Sequence, residues 1–251
     1  SQESDDDNML EDEFNKFGEC SEYGYPTMGG VISAFNKDIV TITVRNSQFY
    51  KNFAEYGGSI YLQVGHAKVD IINSIFIDNL AVCQGGSFFA FNTTLNINLC
   101  KFKGNIAHQY IGALGIFNFS LGIISNSYFC NNSASPLGIG GAIATGNYTN
   151  IFINNCTFTA NTAWSYAVLL SEYWAFTHIN ASRFENNVAN KGSGISGGYS
   201  TTLLVTHCQF VNNTILDTQG AMAAVDISYQ SNLILTDTLI EKNQGAGYTA
   251  L

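Results

Sequence analysis

Short runs in which small and large apolar residues alternate recur along the whole chain, and this period of two predicts β-strands rather than helices. The most regular landmark is a phenylalanine followed three residues later by an asparagine, repeated every 26 to 30 residues. The phenylalanines are Phe49, Phe76, Phe102, Phe129, Phe158, Phe184 and Phe210, with Ile240 as a degenerate eighth, and their asparagines run from Asn52 to Asn243. The chain is therefore a repeat protein.

Other residue types recur at fixed distances from each phenylalanine. An aliphatic residue stands five places before each phenylalanine, and a serine, cysteine or threonine stands two places before it. After a variable loop, a glycine followed by a small and an apolar residue starts another strand, as in Gly58-Ser59-Ile60 and Gly141-Ala142-Ile143. Three short strands in about 26 residues make one coil of a parallel β-helix, so we expect about eight coils stacked about 4.8 Å apart.

Asparagines that stack at bends can hydrogen-bond along the axis and tolerate the left-handed conformation that bends need. This explains the Asn52 to Asn243 column. A weaker asparagine column stands three residues before the phenylalanine, and we place it inside the coil; its members are Asn46, Asn73, Asn126 and Asn155.

The paired motifs FYKN with GGSI, FIDN with GGSF, FCNN with GGAI and FVNN with QGAM resemble the repeats of the polymorphic outer membrane protein family. The likeness spans about residues 29 to 247. It implies an all-β fold, a single-stranded right-handed parallel β-helix, exposed on a cell surface with adhesive or structural work. Because no C-terminal membrane β-barrel follows the repeats in this sequence, we do not expect the resemblance to extend to anchoring.

Charge and composition narrow the possible partners. Charged residues make up only 12% of the chain and the net charge is −9, which excludes a nucleic-acid partner. Nine of the acids lie within residues 1–22, so we divide the chain into an acidic N-terminal tail, cap or clasp (1–28) and the β-helix (29–251). No apolar stretch is long enough for a transmembrane helix, and the chain starts without a Met or signal peptide, as a processed chain or an excerpt would.

Polysaccharide lyases and hydrolases use this fold and need converging carboxylates. Glu185 and Glu241 share a column two coils apart, about 9.6 Å, which would suit an inverting pair. Glu185 has only Arg183 as a neighbouring cation, and Glu241 sits on the degenerate coil. We therefore expect surface acids, no catalytic site and no cofactor. The four histidines fall at four different offsets, so no metal site is expected.

Six cysteines would allow three disulfides. Cys100, Cys156 and Cys208 occupy the small inward column on every second coil, too far apart to bridge, and are expected to be buried thiols. Cys20 and Cys83 lie outside the strand columns and are the one pair for which we predict a disulfide.

Seven sequons occur, and glycans are expected on at least three of them if the chain is secreted by a eukaryote. Asn92, Asn118 and Asn147 share one bend column. Asn131 and Asn212 share a solvent-facing column, Asn180 is a further candidate, and Asn155 is expected to be bare.

The aromatic residues Trp164, Tyr166, Tyr173, Trp174 and Phe176 crowd the fifth coil, either as an internal stack or as a contact patch for sugar or another subunit. The apolar ending suggests that the last coil stacks on the first coil of the next molecule. The expected interface residues are Gly247, Tyr248, Thr249, Leu251, Gly30, Ile32, Trp164 and Trp174.

We therefore predict a secreted, glycosylated, non-enzymatic protomer of an extracellular filament or surface coat, whose partner is itself and possibly glycans. A cell-surface adhesin domain is the first alternative, and a polysaccharide lyase or hydrolase is the second. No membrane insertion is expected.

Overall fold

The structure is a computed structural model that describes residues 28–192, 194–216 and 224–245, without the side chains of residues 36–38 and 135–137. The regular secondary structure within these ranges consists of β-strands. No helix long and apolar enough to cross a membrane occurs in this part of the chain.

The strands are numbered along the chain. They are β1 (Ile32–Arg45), β2 (Gln48–Tyr50), β3 (Phe53–Tyr56), β4 (Ile60–Ile72), β5 (Ile75–Ile77), β6 (Leu80–Gln84), β7 (Phe88–Asn98), β8 (Lys101–Lys103), β9 (Ile106–Ala107), β10 (Leu114–Phe117), β11 (Leu121–Ser125), β12 (Tyr128–Cys130), β13 (Ser133–Ile139), β14 (Ile143–Gly146), β15 (Asn150–Asn154), β16 (Thr157–Thr159), β17 (Thr162–Ser165), β18 (Leu169–Ser171), β19 (Phe176–Asn180), β20 (Arg183–Glu185), β21 (Val188–Lys191), β22 (Ile195–Gly197), β23 (Thr202–Thr206), β24 (Gln209–Val211), β25 (Thr214–Ile215), β26 (Val225–Ile227), β27 (Asn232–Thr236), β28 (Leu239–Glu241) and β29 (Gln244–Gly245).

These strands form three parallel sheets that wind as a right-handed β-helix, as predicted. A long sheet holds 13 strands. A phenylalanine sheet stacks β2, β5, β8, β12, β16, β20, β24 and β28, and a third sheet stacks β3, β6, β9, β13, β17, β21, β25 and β29. The eight strands of the phenylalanine sheet span seven full turns of the coil.

The long sheet changes along the rod. In the first three coils one strand runs through it, namely β1, β4 or β7, and from the fourth coil a turn divides that strand in two. Two residues with positive φ make each turn, beginning with Asn118 and Phe119. Leu121 pairs with Thr94, so Phe119 is an inserted residue that the preceding coil lacks. The turn therefore projects a side chain that earlier coils do not have.

The phenylalanines form the centre of the core. From Phe49 to Phe210 their rings stack with centroids 4.5 to 4.9 Å apart. Phe76 to Phe210 are fully buried, whereas Tyr50, one place after Phe49, is 57% exposed. The predicted register of inward and outward positions is confirmed.

The main asparagine column is a buried ladder. The Asn132 amide donates to the Phe102 carbonyl and to Asn161 Oδ1, both at 3.0 Å, and its own oxygen accepts from the backbone and side chain of Asn105. The ladder asparagines do not have the predicted left-handed conformation, because positive φ falls on the residue before each of them, such as Asn131 before Asn132. The bend is made by one residue and the hydrogen bonds by the next.

The weaker asparagine column was placed wrongly. Asn126 and Asn155 have positive φ and are exposed, although their side chains do hydrogen-bond along the rod, with Asn155 Nδ2 2.8 Å from Asn126 Oδ1. A left-handed residue at this corner points its side chain outward. This ladder therefore lies on the surface.

The glycine steps bring neighbouring backbones into contact. A Cβ on Gly112 would overlap the carbonyl oxygen of Gly141, and the same holds for Gly58 and Gly86 against the next coil. A side chain at these positions would push the coils apart.

Candidate binding face

The two carboxylates considered as a candidate pair, and expected to be surface acids, each lie beside a basic neighbour. Glu185 Oε2 lies 2.5 Å from Arg183 Nε, and Glu241 Oε1 lies 2.9 Å from Lys242 Nζ. Both pairs are partly exposed on the phenylalanine sheet, where solvent weakens such pairs. This arrangement leaves each carboxylate beside a cation of its own coil.

A second apolar cluster on the outside of the long sheet was missed from the sequence. Its buried members are Tyr56, Tyr61, Cys83, Phe89, Ile111, Phe117, Ala144 and Leu170. A small pocket lined by four members of this cluster also contains Thr145 and Glu172. Burial raises the pKa of Tyr166, with Asp226 and Glu172 adding to that shift, and burial also raises the pKa of Asp226. Four of its members, Tyr61, Phe89, Ala144 and Leu170, lie in one register row of the long sheet, which Gly115 interrupts.

The described cysteines comprise free, buried thiols and one disulfide-bonded residue, as the spacing predicts. Cys100, Cys156 and Cys208 are free, buried thiols, and burial raises the pKa of Cys156 to about 12. Cys130 is also a free, buried thiol. Cys83 is disulfide-bonded, and its predicted partner Cys20 lies outside the described residues, so that pairing stays a prediction.

The sequon asparagines fall into three settings. Asn92, Asn118 and Asn147 stack at one bend with positive φ, and Asn147 Nδ2 donates to Asn118 Oδ1 at 2.9 Å. Asn131 and Asn212 are exposed at positive φ. Asn180 is half-buried and accepts a hydrogen bond from Thr206. Their occupancy stays a prediction.

Several predicted interface residues lie outside the described residues, namely Gly247, Tyr248, Thr249 and Leu251. Gly30 is exposed, and Ile32 is half-buried against the first coil of the core. Trp164 is 39% exposed on β17, and Trp174 is 53% exposed at a turn of the long sheet. The two tryptophans therefore belong to different parts of the surface.

The aromatic residues of the fifth coil do not form one cluster. Trp174 stacks on Tyr148, and Tyr148 stacks on Phe119, with ring centroids 5.2 Å apart in both pairs. We call these three exposed residues the aromatic ladder. Because the rings stack face to face along the rod, the ladder presents ring edges to the side.

Beside the ladder lies a flat surface that we call the lateral face. It consists of the outward side chains of β11, β15, β19, β23 and β27, which pair in continuous register. The central row is Ile123, Phe152, His178, Leu204 and Ile234. The row nearest the ladder is Leu121, Asn150, Phe176, Thr202 and Asn232, and the far row is Ser125, Asn154, Asn180, Thr206 and Thr236.

The lateral face is apolar and exposed. Leu121, Ile123 and Ile234 are 40%, 43% and 53% exposed, while Phe152 and Leu204 are half-buried. None of the residues in these five strands is Asp, Glu, Lys or Arg. The same central row is polar in the preceding coils, where Asn96 donates to Asp70. The face therefore begins at the fourth coil, together with the ladder.

Of the residues of this face, only Phe176, His178 and Asn180 stood out in the sequence, each for another reason. The available signal was the occurrence of apolar residues at both alternating sets of positions, as in Leu121 to Ile124. Most of the remaining outward positions carry Asn, Ser or Thr.

Comparisons with known proteins give two partial similarities. The chain is 30% identical over 179 residues to the metabotropic glutamate receptor-like protein R of Dictyostelium discoideum, covering 68% of this chain and 11% of that protein. It is 29% identical over 224 residues to the probable autotransporter YfaL of Escherichia coli strain K12, covering 76% of this chain and 16% of that protein. No family model and no solved structure matches. The chain thus spans less than a fifth of either relative.

Proposed function

We propose that this chain is a rod-like β-helix segment of a protein displayed at the cell surface, and that it works by binding through its lateral face. Two considerations support display: one relative is named an autotransporter and the other a receptor-like protein. This proposal corresponds to the first alternative predicted from the sequence, a cell-surface adhesin domain.

The observation that carries the proposal is the contrast between the lateral face and the rest of the rod. Apolar patches that are large, exposed and rimmed by polar residues are typical of interaction sites. Here Ile123, Phe152, Leu204 and Ile234 lie in one row that His178 interrupts, and the bordering rows consist mostly of Asn, Ser and Thr. Depletion of charge is also characteristic of the centre of protein interfaces.

Catalysis is not part of this proposal. An inverting hydrolase needs two carboxylates free to act on opposite sides of a sugar. Glu185 and Glu241 each lie beside a cation of their own coil, and the lateral face has no acid in its five strands.

Adhesion of coated beads tests the binding function. Beads carrying the chain are expected to attach to one another or to intact source cells. Ile123→Lys should reduce attachment at least about tenfold, because burying an unpaired ammonium costs more than about 1.4 kcal/mol. Leu239→Lys is the matched control, since Leu239 is 47% exposed on the phenylalanine sheet. Beads that stay dispersed and unattached would contradict the proposal, and so would equal losses in both variants.

We further propose that the displayed protein is glycosylated in a eukaryotic source. Asn131 and Asn212 are exposed at turns with positive φ, so their side chains are accessible for sugar attachment. Intact-mass measurement of the native protein should show a loss of several glycans after endoglycosidase treatment. An unchanged mass would refute glycosylation and leave the binding function untouched.

Head-to-tail assembly into a filament is the alternative arrangement, proposed from the sequence alone, and it would make particles longer rather than thicker. Electron microscopy of the native material tests this arrangement, and separate short rods would contradict it.

A further inference from the structure

We infer that the lateral face binds the lateral face of a second copy of this chain, side by side and antiparallel. This inference rests on the proposed binding function and names its partner. The periodicity of the face favours a second copy as the partner. The apolar rows repeat at the coil spacing of about 4.8 Å, and another copy has the same spacing in its own rows.

The central row is suited to a two-fold axis. A two-fold axis that lies in the plane of the face, runs along the strands and passes beside His178 reverses the row, so the order Ile123, Phe152, His178, Leu204, Ile234 meets itself backwards. His178 then lies opposite His178, Phe152 opposite Leu204, and Ile123 opposite Ile234. In both apolar pairings two large apolar side chains meet, so the row is complementary to its own reverse. An isologous interface requires this self-complementarity.

Charge also favours a second copy. Nine of the 19 acidic residues lie within residues 1–22, where Lys16 is their one basic neighbour, so the rest of the chain is close to neutral and does not repel a second copy. The five strands of the lateral face carry no Asp, Glu, Lys or Arg, so this face brings no like charges together. The bordering Asn, Ser and Thr side chains can hydrogen-bond across the rim.

The size of the face predicts a weak pair. Five strands about 4.8 Å apart and five residues of about 3.3 Å give roughly 400 Å² on each copy. A standard stable interface covers about 800 Å² on each partner. Pairing should therefore be transient between free molecules and strong between arrays of displayed copies, where many contacts form together.

Glycosylation would regulate this contact. Asn180 belongs to the far row of the lateral face and lies beside Thr206. A glycan on Asn180 would stand between the two copies, so occupancy of that sequon and pairing exclude each other.

A charge-reversal experiment tests both the partner and the register. The readouts are sedimentation equilibrium of the purified chain and clustering of coated beads. Phe152→Lys and Leu204→Glu should each weaken pairing at least tenfold. The double variant should recover pairing, because each lysine then faces a glutamate of the other copy. Phe152→Lys with Ile234→Glu is the matched control, and it should not recover.

Folding and function are separated by two further measurements. Both substituted side chains point outward, so the unfolding midpoints should stay near that of the parent chain. His178→Leu should strengthen pairing, since it replaces the polar pair at the axis. A parent chain that stays monomeric, with beads that bind cells and not one another, would overturn the inference and leave the proposed function standing. Failure of the double variant to recover would overturn the antiparallel register.

Discussion

Asn132→Ala is expected to lower the free energy of unfolding by about 3 to 6 kcal/mol, because it leaves several buried polar groups without partners at about 1 to 3 kcal/mol each. The groups are the Phe102 carbonyl, one amide hydrogen of Asn105 and the Asn105 backbone N–H. Urea unfolding followed by circular dichroism measures the change. A loss below about 1 kcal/mol would show that the ladder is not a main source of stability.

Asn132→Asp is the matched control with nearly the same shape. The introduced carboxylate would face the Phe102 carbonyl and Asn161 Oδ1, so the pKa of this carboxyl group in the folded variant should lie above the usual value of about 3.9. The Asn132→Asp variant should then be most stable at pH values below about 3.9, the usual pKa of the carboxyl group. It should lose stability as the pH rises from there through the raised pKa of the folded state. The alanine variant should lack this pH dependence.

Phe129→Ala is expected to cost about 3 to 5 kcal/mol, as truncation of a fully buried aromatic residue does. Phe129 stacks on Phe102 and Phe158 at centroid distances of 4.8 and 4.9 Å, so the substitution opens a cavity in the middle of the stack. Tyr128→Ala is the control, because Tyr128 is the adjacent residue and its own side chain is 37% exposed. Equal unfolding midpoints for the two variants would contradict the assigned core.

The core could be predicted because every coil repeats the same physical requirement. A ring at Phe129 must match the rings above and below, and Asn132 must satisfy the same buried groups as Asn105. These requirements fix residue type and spacing together. The period therefore reveals the fold, the inward rows and the buried thiols such as Cys156.

The lateral face could not be predicted in the same way. It begins where Phe119 is inserted into one turn, and a single inserted residue is not distinguishable from ordinary loop variation in the sequence. Asn155 shows a related limit, because hydrogen-bonded stacking occurs both inside and outside the coil. Which side a row faces depends on the backbone conformation at the corner, and that is a property of the folded chain.

The central claim is that copies of this chain join through their sides. Small-angle X-ray scattering over a wide range of protein concentration tests it directly, since it reports particle length and cross-section separately. The account predicts that the cross-section grows with concentration while the length stays nearly constant, and that Phe152→Lys abolishes this growth. A particle that lengthens at constant cross-section would contradict it, because the copies would then join through their ends.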